Sequence, residues 1–228
     1  SNAVHAYYSQ MYAAGVPPFS DDFKSTNFTS PESIEIVQRM SDLFAEGITS
    51  NSNTVDDFAA GSAAMMIAAN WNKAELQSVY GDAFENTVGI APIPNNGGDP
   101  GTMLYSFFWA VDATSDAKDE SWALLRWLNE AQGDASLSCT GEMLNDLGAL
   151  SGNLGDLAAM DTGDSFTAPF VAAIESGAAK SQPNIWQASE NDRTLRSYIE
   201  QVWAGNMTAA EAMAAADAEV TAVLSEQD

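Results

Sequence analysis

Apolar residues recur at helical spacing over most of the chain. In 30–47, SPESIEIVQRMSDLFAEG, the positions Ile34, Val37 and Phe44 lie three to seven residues apart on one helical face. Ser30 is a typical N-cap and Gly47 a typical helix stop, so this pattern predicts a helix between them. The same reasoning predicts helices over 5–14, 56–61, 73–81, 115–131, 136–147, 166–178, 192–205 (capped by Ser189 or Asn191) and 208–224 (opened by a capping box).

Three short apolar segments lack this spacing and predict strands. AAMMIAA at 63–69 has small or flexible side chains, which allow close neighbours on both faces of a buried strand. TVGIAPIP at 87–94 ends at a proline, and MLYSFFWAV at 103–111 is rich in aromatic residues. The segment 95–101 is dense in turn formers, and 148–156 predicts a flexible connection. The chain is therefore predicted to be α/β, mostly helical, with about three short strands.

Length and charge restrict the classes of function. The 228 residues suffice for one large domain or two small lobes. Residues 1–3 (SNA) look like an expression scar and do not enter the fold prediction. The sequence has no run of 18 apolar residues, so we expect no membrane insertion of this segment. A formal net charge of −24 repels phosphate groups, which argues against nucleic-acid binding and binding to anionic lipid.

Candidate catalytic and metal motifs are weak. The sequence has one cysteine, Cys139, and one histidine, His5, which excludes an internal disulfide and disfavours both a zinc site and a Cys–His catalytic pair. Residues 115–118 match S-x-x-K but lack its companion motifs, and a helix N-cap explains them better. The segment 161–165, DTGDS, lacks the later ligands of a calcium loop. We therefore expect no metal and no cofactor, while a carboxylate pair for glycoside hydrolysis stays open among 32 acidic residues.

Aromatic residues stand out more than titratable ones. Trp71 follows the predicted strand 63–69 and precedes a predicted helix, and ligands of open α/β sheets bind at such strand ends. Its indole offers a flat apolar face for stacking a sugar ring, and the neighbouring Asn70 can donate to and accept from hydroxyl groups. The alternative is that Trp71 packs in the core against the helix that follows it.

The segment 58–71, FAAGSAAMMIAANW, resembles the F-x-x-G-x-x-A-M-x-x-x-x-x-W signature of maltose-binding-protein-like extracellular solute-binding proteins, which serve ABC importers. Further segments resemble the same family in the same order: a helix at 27–48, VGIAPIP followed by a glycine-rich loop, a Trp-centred helix at 113–130 and a C-terminal helix pair at 202–224. The resemblance extends over roughly 5–225 and implies a type II periplasmic-binding-protein-like fold.

The resemblance also implies site residues. Trp71 matches the stacking tryptophan of the family, and Tyr7 or Tyr8 falls where the family often has another aromatic residue. Tyr105 and Ser106 fall on a hinge strand, while Asn70 and Trp186 complete the expected ligand-binding set. For each residue the alternative is packing in the core.

Family members are about twice as long as this chain, which resembles their C-terminal portion. The resemblance implies three segments: 1–104 in the C-lobe, 105–148 as a hinge crossing with helices of the other lobe, and 149–228 again in the C-lobe. If so, the chain is a fragment, and a segment such as 109–147 must find another packing partner or expose apolar residues such as Trp122 and Trp127.

The resemblance implies a non-catalytic binding protein that captures a sugar or oligosaccharide between two lobes and delivers it to ABC permease subunits. It implies a periplasmic or cell-surface location, with a lipid anchor in the second case. Two alternatives remain open at this point: a carbohydrate hydrolase that uses paired carboxylates, and a structural or interaction domain that binds no small molecule.

Overall fold

The computed structural model of the protein describes residues 2–50, 54–95 and 100–226. Its chain forms two compact units. Unit 1 comprises Ser1–Asn53, Pro92–Ser106 and Ala173–Asp228, and unit 2 comprises Thr54–Ala91 and Phe107–Ala172. The described part of the chain contains no helix that is long and apolar enough to cross a membrane.

Helices and a small sheet build unit 1. The helices are α1 (Asn2–Ala13), α2 (Pro31–Ala45), α10 (Ala188–Trp203) and α11 (Ala209–Leu224), and the strands are β1 (Thr102–Leu104) and β2 (Ala179–Ser181). The strands pair in parallel, with Thr102 opposite Ala179 and Leu104 opposite Ser181.

The cap residues of α2 and α11 act as the sequence predicts. The Ser30 hydroxyl accepts a hydrogen bond from the Ser33 amide, and Pro31 occupies the first turn. At α11 the Thr208 hydroxyl accepts from the Glu211 amide, while the Glu211 carboxylate accepts from the Thr208 amide. These contacts satisfy backbone donors that would otherwise have no partner in the helix.

The core of unit 1 lies where α10 and α11 meet. The side chains of Leu195 and Ile199 on α10 are fully buried, and so are the small Ala212 and Ala216 on α11. Alanine on the facing helix allows close approach, so the large residues of α10 fill the space between the helices. Helices α1 and α2 complete this core with Tyr7, Tyr8, Met11, Ile36 and Val37.

Gly101 joins α1 to the sheet. A Cβ atom at this position would lie 2.2 Å from the carbonyl oxygen of Tyr12, so only glycine fits. The close approach places the start of β1 directly against the end of α1.

Unit 2 consists of shorter helices: α3 (Val55–Ala59), α4 (Asn72–Tyr80), α5 (Phe84–Thr87), α6 (Lys118–Asn129), α7 (Cys139–Leu147) and α8 (Leu154–Ala159). A 3-10 turn at Gly81–Ala83 joins α4 to α5, and α9 (Ala168–Glu175) begins in this unit. Its core is small and contains Leu76, Phe84, Val88 and Phe166. The Lys73 ammonium joins α4 to the segment before α9 through Asp164 (2.8 Å) and Thr167 (2.9 Å).

The predicted strands are largely wrong. Residues 63–69 form no strand, and 87–94 contain the end of α5 followed by irregular chain. Of 103–111 only the first two residues belong to β1, and Phe107 and Phe108 are 82% and 88% exposed. Met65, predicted to be buried, is 87% exposed. A strand needs a neighbour for its backbone hydrogen bonds, and strand pairing in the described chain is confined to Thr102–Leu104 and Ala179–Ser181.

Several helix boundaries also differ from the predictions. Ser189 and Asn191 lie inside α10, whose N-cap is Gln187. Helix α6 begins at Lys118, and the Ser115 hydroxyl accepts instead from the Ala117 amide. Most of the predicted turn segment 95–101 lies outside the described residues.

We expect Ile199→Ala to lower the free energy of unfolding by about 2–5 kcal/mol, because it removes apolar contacts and leaves a cavity between α10 and α11. Ile48, which is 66% exposed in the same unit, is the matched control, and Ile48→Ala should change the unfolding free energy by less than about 1 kcal/mol. Urea unfolding measures both values. Equal losses would show that the α10–α11 contact is not the core of unit 1.

Candidate functional site

The carboxyl ends of β1 and β2 lie at one edge of the sheet in unit 1, because the strands are parallel. Tyr105 and Ser106 directly follow β1 at this edge. The Tyr12 hydroxyl of α1 donates a 3.4 Å hydrogen bond to the Ser181 carbonyl at the end of β2. In open α/β folds this edge is where ligands commonly bind.

A histidine and a carboxylate lie close to this edge. The ring of His5 on α1 lies 5.2 Å from the ring of Tyr105, centroid to centroid, with an interplanar angle of 41°. Burial lowers the pKa of His5, although the negative charge of Asp192 acts in the opposite direction. The neutral imidazole is therefore favoured, and its nitrogen atoms can both donate and accept hydrogen bonds.

Asp192 on α10 accepts a hydrogen bond from the Tyr8 hydroxyl at 2.9 Å. Burial raises the pKa of Asp192, and the hydrogen bond from Tyr8 partly offsets this effect. One carboxylate oxygen is thus held by Tyr8 on α1. The edge of unit 1 therefore combines aromatic rings with polar groups that can bind hydroxyls.

Tyr7 and Tyr8 themselves are buried. The Tyr7 hydroxyl shares a 2.7 Å hydrogen bond with the Ser33 hydroxyl, and the rings of Tyr7 and Tyr8 pack against Phe28 and Phe19 respectively. Both rings are covered by these neighbours, and their contact with a ligand stays a prediction.

Trp186 lies in the segment that leads into α10 and is 44% exposed, whereas the preceding Ile185 is buried. The Asn191 side chain donates a 2.8 Å hydrogen bond to the Trp186 carbonyl. The fixed backbone lets the indole remain accessible at the surface of unit 1.

Trp71 and Asn70 belong to unit 2. Trp71 occupies the N-cap position of α4 with helical dihedral angles and is 42% exposed, so it is not a core residue of that unit. Asn70 is partly buried beside it. The turn is held by the Asn72 side chain, which accepts a hydrogen bond from the Ala69 amide at 3.0 Å.

The structure thus brings Tyr105 together with His5, and Tyr8 together with Asp192, in unit 1. Sequence reasoning missed His5, Asp192 and Asn191 as site candidates. A lone histidine has no pattern, and both α10 residues lie in a polar run, 189–193, where spacing distinguishes none of them.

Two further features of the described residues bear on the choice of site. The described residues include no group of three or more His, Cys, Asp or Glu side chains that could hold a metal ion. A groove of about 670 Å³ in unit 1 lies between α2 and the start of α11, and none of the predicted site residues lines it.

A family model described as bacterial extracellular solute-binding protein matches residues 2–143. The match includes more than half of the chain, so the chain belongs to this family, as the sequence resemblance predicted. The family is one of binding proteins rather than enzymes, which removes the support for the hydrolase alternative. No curated protein matches the chain.

Solved structures confirm the predicted fold class. The sugar-binding protein MalE from Xanthomonas citri matches 98% of this chain with a TM-score of 0.70 and 20% identity. The GacH receptor of Streptomyces glaucescens matches 99% with a TM-score of 0.75 and 18% identity. A solute-binding protein from Thermotoga lettingae TMO, solved with alpha-D-tagatose, matches 97% with a TM-score of 0.73 and 19% identity.

The chain spans little more than half the length of these structures. The matched region is 56% of the Xanthomonas and Thermotoga chains and 58% of the Streptomyces chain. At such low identity the likeness shows the fold alone.

The buried phenol of Tyr7 generates a pH prediction. Burial raises its pKa, while the hydrogen bond with Ser33 acts in the opposite direction. A folded pKa above the unfolded value of about 10 means that the phenol stabilises the fold fully below pH 10 and loses this contribution as the pH rises further. The unfolding free energy should therefore fall by about 1.4 kcal/mol per pH unit above 10 for this group.

Urea unfolding between pH 9 and 11 measures this slope. Tyr7→Phe removes the ionisable group, so its unfolding free energy should decrease less steeply than that of wild type above pH 10. This holds even if the two proteins differ in stability at pH 9. Parallel curves for the two proteins would show that Tyr7 ionises as readily in the folded chain as in the unfolded one.

Proposed function

We propose that this chain is part of the substrate-binding component of an ABC importer and binds a carbohydrate by aromatic stacking. The observation that carries the proposal is the position of Trp71, which is 42% exposed at the start of α4 in a chain that belongs to the solute-binding family. An indole face with a neighbouring amide suits the alternating apolar and hydroxyl surfaces of a sugar.

The names of several structural neighbours agree with a sugar ligand. The Xanthomonas protein is called sugar-binding, and the Streptomyces receptor was solved with acarbose. The charge of this chain also argues for an uncharged ligand, because 32 acidic and 8 basic residues disfavour an anionic solute. A neutral carbohydrate meets no such barrier.

Trp71 and Asn70 of unit 2 serve as the stacking platform and its polar neighbour. In unit 1, Trp186, Tyr105 and Ser106 keep the ligand roles that the family resemblance implies. The roles of Tyr7 and Tyr8 rest on the family resemblance alone. In the whole protein the ligand would lie in the inter-lobe cleft that this resemblance implies, and closure of the lobes would exclude water from it. No cofactor takes part, and ABC permease subunits receive the solute.

The apolar surface of unit 2 supports a second part of the proposal, that the chain is a C-terminal fragment. Phe107 and Phe108 are exposed next to the predicted hinge crossing, and Trp122 and Trp127 are more than half exposed on α6. Large apolar side chains exposed on a soluble protein often mark a surface that another part of the structure covers. The division into 1–104, 105–148 and 149–228 belongs to this proposal, and the remaining part of the binding lobes would cover these side chains.

The location follows from the family. The protein would act outside the cytoplasm, in the periplasm or on the cell surface, and a lipid anchor applies in the second case.

Trp71→Ala should weaken sugar binding about 5- to 150-fold, corresponding to about 1–3 kcal/mol of stacking and burial. Tryptophan fluorescence titrations with a panel of oligosaccharides measure the affinity. Trp127→Ala is the matched control, since Trp127 is 51% exposed in the same unit and lies outside the predicted ligand set. Its affinity should equal that of wild type.

Equal affinities of wild type and Trp71→Ala would contradict the platform role. Lack of any response in wild type requires the same titration on the full-length gene product, because half of a cleft binds more weakly than a whole one. If the full-length product also shows no fluorescence response, sugar binding is refuted.

A further inference from the structure

The segment that leads into α10 holds an unusual backbone conformation. Gln187, the N-cap of the helix, has φ 51° and ψ 39°, in the left-handed region that non-glycine residues rarely adopt. The two residues that precede this bend differ in exposure: Ile185 is buried in the core of unit 1, and Trp186 is 44% exposed. The bend therefore sets the direction in which the Trp186 indole leaves the chain.

Hydrogen bonds from the first turn of α10 hold this bend. The Asn191 side-chain amide donates to the Trp186 carbonyl at 2.8 Å. The backbone amides of Glu190 and Asn191 donate to the Gln187 carbonyl at 2.9 and 3.0 Å. Two consecutive carbonyls are thus fixed, and only the bond to Trp186 depends on a side chain.

Asn191 is a poor choice for stability alone. It is 1% exposed and lies one helical turn before the buried Leu195, in a position where an apolar residue would pack. Its side-chain oxygen is buried and has no hydrogen-bond partner in the described part of the chain. A buried polar atom without a partner destabilises the folded state, so the residue serves the one bond that it makes.

We propose that Asn191 is a positioning residue that holds Trp186 in its exposed orientation for stacking on the bound carbohydrate. This inference rests on the proposed function, and Asn191 itself need not touch the ligand. The bond to the carbonyl maintains the left-handed bend at Gln187. Without it the bend relaxes toward ordinary dihedral angles, and the indole turns away from its position.

A double-mutant cycle tests the coupling. Asn191→Leu keeps the branching at Cγ and removes the donor, and Asn191→Ala is the second variant if the larger leucine does not fit. Sugar affinity should fall about 5- to 10-fold when Trp186 is present. In a Trp186→Ala background the same change should alter the affinity less than 2-fold, because the residue acts only through Trp186.

Two results of this cycle would overturn the inference. The first is an unchanged affinity in Asn191→Leu and Asn191→Ala. The second is an equal loss with and without Trp186, which would indicate a general structural effect. Gln187→Gly is the matched control, since glycine adopts the same dihedral angles without strain and should retain the wild-type affinity within 2-fold.

A sugar-independent measurement separates this inference from the proposed function. Acrylamide quenching of tryptophan fluorescence reports the accessibility of the indoles. The signal of Trp186 alone is the difference between each protein and the same protein carrying Trp186→Phe. Asn191→Leu should change its quenching constant by at least 1.5-fold, and Gln187→Gly should not. If wild type binds no sugar but the quenching changes, only the proposed function fails. An unchanged quenching constant refutes the positioning role.

Discussion

The close contact between α10 and α11 is the interaction on which unit 1 depends. Alanines on α11 leave room for Leu195 and Ile199 of α10, and the joint surface receives α1 and α2. Any gap between the two helices would lose favourable dispersion contacts. The helices must therefore keep one fixed register. The positions of α1 and of the sheet that packs against it follow from that register.

The same helices carry the polar groups of the candidate site. Helix α1 contributes His5 and Tyr8, and α10 contributes Asp192, so the Tyr8–Asp192 hydrogen bond is both a packing contact and part of the site. Asn191, one residue before Asp192, fixes the backbone at Trp186. The core and the candidate site of unit 1 therefore share adjacent residues of one helix, and changes in packing should reach the site directly.

The sequence predicted the helices of this chain well and its strands poorly, for a physical reason. A helix satisfies its own backbone hydrogen bonds, so spacing and caps such as Ser30 and Thr208 suffice to identify it. A strand depends on a neighbour, and 63–69 has none among the described residues. In the site, the exposed Trp71 and Trp186 could be proposed from sequence and family resemblance. His5, Asp192 and Asn191 could not, because their partners lie far away in sequence or in a bend that no local pattern indicates.

Hydrogen–deuterium exchange of the chain tests the central claim most directly, that unit 1 folds on its own packed core while the apolar segment 63–69 forms no strand. The account predicts the slowest exchange in α10 and α11, around Leu195 and Ala216. Backbone amides of 64–68 should exchange far faster, because this stretch forms neither helix nor strand. Protection of 64–68 equal to that of α10 would contradict the account, since it would mean that the segment has formed a strand.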